Sequence, residues 1–168
     1  VPAPADDVYK DAGKVEVTIK DATGGNFENL VPSTVAAVTD VTDTVDTTTV
    51  KLTASETAAE GGSVIYTATV GAPVTGSPVV VTLANGQSIT IAVGQTTGTA
   101  TTTAPNDVLA GHTPLTNSIT NVTGGNYENL VADKTPVSTT VTDTVDTTTV
   151  SLTATGNVNE GGQIVYTA

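Results

Sequence analysis

The sequence contains no cysteine, methionine, tryptophan or arginine, and its aromatics are four tyrosines and one phenylalanine. Without cysteine there is neither a disulfide framework nor a thiolate metal site, so stability must come from packing, hydrogen bonds or hard-metal coordination. Without arginine, and with five lysines against 17 carboxylates, the net charge is −12. Such a chain is unsuited to sequence-independent binding of nucleic acid or of an anionic membrane surface, and multivalent cations are its natural partners. Long apolar runs are missing too. The longest, Val79–Leu83, is far short of the ~20 residues of a spanning helix, so direct membrane insertion is not expected. The N-terminus lacks the basic and then apolar blocks of a signal peptide, which places any export signal elsewhere.

What the chain does have is threonine and valine, 37 and 26 of its 168 residues. Both branch at Cβ, which stiffens χ1 and favours the pleated strand over the helix. An all-helical protein is excluded. With 38% hydrophobic residues and a mean hydropathy of +0.09, the chain is too apolar for a self-repelling disordered segment.

Internal similarity organises the rest. Thr23-Gly-Gly-Asn-Phe-Glu-Asn-Leu-Val31 returns as Thr123-Gly-Gly-Asn-Tyr-Glu-Asn-Leu-Val131, and Val41–Val50 returns unchanged as Val141–Val150. Glu60-Gly61-Gly62 and Tyr66-Thr67-Ala68 recur as Glu160-Gly161-Gly162 and Tyr166-Thr167-Ala168. At an offset of 100, residues 1–68 and 101–168 share 31 identities, so the chain reads as a window on a tandem array. The aspartates among threonines near Asp46 and Asp146 suit exposed junctions. They divide the chain into 1–46, the C-terminal part of one repeat; 47–146, a complete repeat; and 147–168, the first strands of another.

Within 47–146 apolar residues alternate at Val50–Ala54, Val64–Val70, Val79–Leu83 and Ile89–Val93, the pattern of half-buried strands. Asn85-Gly86 predicts a type I′ hairpin between the third and fourth runs. Further strands are expected at 97–103, 115–122 and 137–141. Seven or so short strands in about a hundred residues predict an all-β, immunoglobulin-like antiparallel β-sandwich in tandem repeats. Because lone hairpins are marginal and unpaired edges invite partners, the two incomplete end pieces are expected to complement each other between neighbouring chains.

Catalytic parts are scarce. The one histidine, His112, lies in a Gly-His-Thr-Pro loop whose counterpart is Ala12, and it reads as an ordinary loop residue rather than a general base. A glycosidase pair is disfavoured because no aromatic platform accompanies the acids. No enzymatic activity is expected. Calcium, which takes six to eight oxygen ligands, suits acids set beside Thr, Asn and Gly. Asp43, Asp46 and Glu60 form one candidate set, and Asp143, Asp146 and Glu160 the other. The competing reading is that these residues only keep a linker solvated. Asn126, Glu128 and Asn129 fit a turn capping the sandwich, plugged by Tyr127 and Leu130, as well as they fit a second ion site.

The repeated Val-Thr-Asp-Thr-Val-Asp-Thr-Thr-Thr-Val, Glu-Gly-Gly with Tyr-Thr-Ala, Leu83-Ala-Asn-Gly-Gln-Ser-Ile89 and Thr-Gly-Gly-Asn-Tyr-Glu-Asn-Leu resemble the extender repeats of giant bacterial biofilm adhesins, the LapA-type members of the RTX adhesin family. The resemblance implies an extracellular string of immunoglobulin-like domains, tethered at the outer membrane in the full-length protein. It implies partners in neighbouring repeats of the same chain and Ca²⁺ at the junctions, on Asp43, Asp46, Asp143 and Asp146 and on Glu60 and Glu160. The Gly-Gly-x-Gly-x-Asp nonapeptides of the wider family are absent. The alternative is a repeat that itself binds a glycan or an abiotic surface.

Overall fold

The structure, a computed structural model, describes residues 2–168. Strands β1 (Gly13–Val17) and β2 (Ala37–Val41) precede β3 (Thr47–Ala54), β4 (Thr57–Ala59) and β5 (Ser63–Thr69). They are followed by β6 (Val79–Leu83), β7 (Ser88–Ile91), β8 (Thr97–Thr103), β9 (Leu115–Asn117) and β10 (Ile119–Thr123). Last come β11 (Asn129–Ala132), β12 (Val137–Thr142), β13 (Thr153–Ala154) and β14 (Tyr166–Thr167). No helix occurs among the described residues, as the β-branched composition requires.

One sheet has the order β11-β3-β5-β8; opposite it lie β10-β6-β7 and β4-β12-β9. Only Ser118 separates β9 from β10, so the last two groups share one run of chain. Period-2 alternation puts Val50 and Leu52, Val64 and Tyr66, Val79 and Val81, and Ile89 and Ile91 into a common core with Ile119 and Val141. The two faces close on each other as a β-sandwich. The core is aliphatic and thin, and among the described residues Tyr66 and Tyr127 are its only buried aromatics. Val93, expected at the end of the fourth run, is half exposed because the strand ends at Ile91.

Two pairings depart from the antiparallel expectation. β11 runs parallel to β3, and β12 parallel to β4. After β3 the chain crosses at Ser55-Glu56 to the other sheet, where β4 continues in the same direction beside β12. A unit entered at one end and left at the other must have first and last strands that point the same way, and the parallel pair is that geometry. Asp46 therefore lies at one end of the sandwich and Asp143 at the other.

The β6–β7 hairpin forms as expected, with a different turn. Gly86 is left-handed (φ 83°) while Asn85 is not; Gly86 N–H donates to the Leu83 carbonyl at 3.0 Å and Leu83 N–H to the Gln87 carbonyl at 2.9 Å. This is a type I turn closed by a left-handed glycine, the usual three-residue loop. Asn85 is held in the right-handed region because its side chain accepts from Gln87 N–H at 3.1 Å.

Outside the β3–β12 sandwich, β1 and β2 pair Val17 with Ala37 and Val15 with Thr39. This is the register of their counterparts in β9 and β12, Asn117 with Val137 and Leu115 with Thr139. The 100-residue offset is thus present in the hydrogen bonding as well as in the sequence. Residues 147–168 hold only the short β13–β14 pair, and every side chain there is exposed.

Candidate metal centres

At the end of the β3–β12 sandwich where β3 begins, the near joint, the Gly-Gly-Asn-Tyr-Glu turn meets the preceding segment. A Cβ at Gly124 would stand 2.1 Å from the Pro78 carbonyl oxygen, and its φ is +89°, so only glycine lets the chain pass here. The turn sends Tyr127 into the core, where its hydroxyl donates to the Ala72 carbonyl at 2.6 Å. Next to it Glu128 accepts from Asp46 N–H through Oε2, while its Oε1 is buried with no hydrogen-bond partner. Asp43 accepts from Asp11 N–H at 3.3 Å.

Like charges crowd this joint. The strongest influence on Glu128, the hydrogen bond from Asp46 N–H, lowers its pKa. Desolvation and then the charges of Asp43 and Asp46 outweigh it and hold the carboxyl above its ordinary value. Asp11 is likewise raised, by desolvation first and then by Asp7, Asp43 and Asp6.

The far end carries a second cluster of different character. Glu60, with its side chain fully buried, accepts from Asp107 N–H at 2.8 Å and lies 2.6 Å from His112 Nε2 through Oε1. Its Oε2 accepts from the N–H and the hydroxyl of Thr144, each at 3.0 Å. The Glu-Gly-Gly turn makes this possible. Glu60 N–H donates to the Thr142 carbonyl at 2.9 Å and Gly61 N–H to the Pro105 carbonyl at 3.2 Å, while a Cβ on Gly62 would meet the Ala59 carbonyl oxygen at 2.7 Å.

These donors pull the Glu60 pKa down to about 2, the Asp107 N–H contributing most. His112 is raised, chiefly by its bond to Glu60 and less by the charges of Glu60, Asp107 and Asp143. Asp143 lies 3.7 Å from His112 Nε2 and accepts from Gly111 N–H at 2.7 Å. Ligand atoms of Glu60, Asp107 and His112 come within 4.8 Å of one another.

The candidate sets therefore regroup. The carboxylate that feels the charges of Asp43 and Asp46 is Glu128, not Glu60. Glu60 stands at the opposite end of β3, whose eight residues at about 3.3 Å each separate the two. There it is joined to the Asp143 neighbourhood. Glu160 and Asp146 are exposed and form no hydrogen bond or ion pair among the described residues. The sequence reading missed His112, because its partner Glu60 lies 52 residues away and nothing in Gly-His-Thr-Pro announces it. Glu128 was legible only as one of two readings of its turn, and the capping role proposed for Tyr127 is what the structure shows.

A family model described as the LapA domain matches residues 1–44 and 46–144. No curated protein matches the chain, and no solved structure does.

Proposed function

The chain belongs to the LapA domain family, and from that membership and the two-ended geometry we propose that it is an extender segment of a bacterial cell-surface biofilm adhesin. Immunoglobulin-like repeats are chained end to end, hold an adhesive region away from the cell, and take neighbouring repeats of the same chain as their structural partners. The role is mechanical, not enzymatic. The observation that carries this reading is the parallel pairing of β12 with β4, which lets the chain enter at one end and leave at the other.

Calcium stiffens the joints in this reading. Asp43, Asp46 and Glu128 offer only oxygen, suited to a hard cation. Glu128 Oε1, buried without a partner, is the acceptor such an ion would satisfy, and the mutual repulsion of the three carboxylates is what it would relieve. Asp143 and Asp146 are the corresponding pair at the far end. The oxygens of Glu60 already accept four hydrogen-bonding donors, so Glu60 holds the loop that carries Asp143.

The test is a thermal melt of the intact protein in EDTA and in ~10 mM Ca²⁺. At the ~10⁻⁴–10⁻³ M affinity of extracellular calcium modules, mass action adds about 1–3 kcal/mol. The gain should vanish in a D46N/E128Q variant. A melting temperature indifferent to calcium in the unmodified chain would remove the ion from the proposal.

A further inference from the structure

At the near joint the loop 7–11 is seated on the complete unit. Val8 and Tyr9 pack against its core. Glu128 N–H donates to the Val8 carbonyl at 3.1 Å and Lys10 N–H to the Asn126 carbonyl at 3.0 Å, forming a one-residue β-bridge between Tyr9 and Tyr127. The two rings stack with centroids 5.5 Å apart, and the Tyr9 hydroxyl donates to the Pro73 carbonyl at 2.6 Å.

The same loop recurs 100 residues later with nothing seated on it. Asp107 accepts from Leu109 N–H at 2.7 Å, as Asp7 does from Tyr9 N–H at 2.7 Å. Asp143 accepts from Gly111 N–H as Asp43 does from Asp11 N–H. Loop 107–111 thus keeps both of these hydrogen bonds, with Gly111 left-handed (φ 86°) where Asp11 is not, and Val108 and Leu109 are 62% and 69% exposed.

We propose that loop 107–111 is the plug of a head-to-tail joint whose socket, on a second copy of this module, is the Tyr127 turn with the Ala72-Pro73 loop, and that this joint closes without an ion. Backbone bonds to the socket demand no particular side chain, so Leu109 in the place of Tyr9 keeps both bridge bonds and an apolar contact. Only the hydroxyl bond and the ring stack are lost. Closure without an ion means that apolar burial and main-chain pairing outweigh the repulsion among Asp11, Asp43, Asp46 and Glu128. The inference rests on the reading of modules joined end to end and is independent of its calcium.

Residues 7 and 8 already match 107 and 108, so Y9L/K10A/D11G places the free plug on an existing socket within the full chain. Amide exchange of Glu128, whose N–H donates to Val8, reports closure and is followed by NMR in EDTA and in excess Ca²⁺. The unmodified chain should be protected in both. The graft should keep protection, lowered about ten- to seventyfold for the lost hydroxyl bond and stack. A V8D/Y9D control should lose it while the amides of β5 stay protected. A graft as unprotected as V8D/Y9D would overturn the proposal, as would protection that survives in V8D/Y9D. Protection of the unmodified chain only in calcium would also overturn it, while leaving the calcium reading intact. Protection in EDTA in a chain whose melting ignores calcium would do the reverse.

Discussion

The near joint and the far end of the module each hold a glutamate with a buried carboxylate oxygen, but the two glutamates are held in opposite ways. Glu60 sits among donors and its pKa falls to about 2. Glu128 sits among carboxylates, with one buried oxygen unpartnered, and its pKa is raised. Desolvation raises the pKa of both, so it does not decide the outcome. The number of N–H and O–H groups aimed at the oxygens does. A carboxylate already saturated with donors is a structural clasp; one left with like-charged neighbours and an unpartnered oxygen is where the proposed cation would act.

The largest expected effect separates the two copies of the Gly-Gly-Asn-aromatic-Glu turn. Tyr127 is buried against the core, whereas Phe27, its counterpart, is exposed. Tyr127→Ala should cost about 3–5 kcal/mol, the usual range for truncating a buried aromatic, and it should also release loop 7–11. Phe27→Ala should stay within about 0.5 kcal/mol, as surface substitutions do. Chemical denaturation of both variants compares them directly. Equal losses would mean that the first segment buries Phe27 in solution and that the two turns are not different after all.

A smaller change sharpens the same contrast at the joint. Tyr9→Phe keeps the stack and the bridge and deletes only the hydroxyl bond to the Pro73 carbonyl, worth about 1 kcal/mol net. Exchange at the Glu128 amide should accelerate by about fivefold with the core amides unaffected. An unchanged rate would show that the hydroxyl bonds to water as well as to the carbonyl.

How much of this was legible beforehand follows from what each feature depends on. Strands β3, β5, β6 and β7 announced themselves because alternation is a local property of a half-buried strand, and the repeat is visible by alignment alone. The switch of the first strand between sheets at Ser55-Glu56, and with it the parallel β4–β12 pair, depends on which edge is free and leaves no period in the sequence. Short β11 escaped notice because Asn129-Leu-Val-Ala has only four residues in which to alternate. For the acids, the aspartates of the Thr-rich junctions were recognisable by composition. Their glutamate partner was not, since Glu60 and Glu128 both recur at the offset of 100 and only the direction of β3 decides which of them reaches Asp46.

The subtlest difference between the two ends is in their response to pH, because His112 has Ala12 as its counterpart. Glu60 has a folded pKa below its ordinary 4.5, so its contribution is complete above pH 4.5 and is lost as pH falls toward 2. His112 has a folded pKa above its ordinary 6.5, so its contribution is complete below pH 6.5 and is lost as pH rises through the elevated value. The far end is therefore most stable between those two ordinary values, whereas the near joint, where Glu128 and Asp11 are raised, loses stability as pH rises through their elevated values. Thermal melts in EDTA between about pH 3 and 9 should show an acid decline from Glu60 and an alkaline decline from His112, with the fall from the raised near-joint carboxyls on top of them. His112→Asn should remove the alkaline decline and leave the acid one, whereas Glu60→Gln should flatten both, since the charges of Asp107 and Asp143 alone are the weaker hold on the imidazole. An alkaline decline that persists in His112→Asn would place its origin outside the far-end cluster.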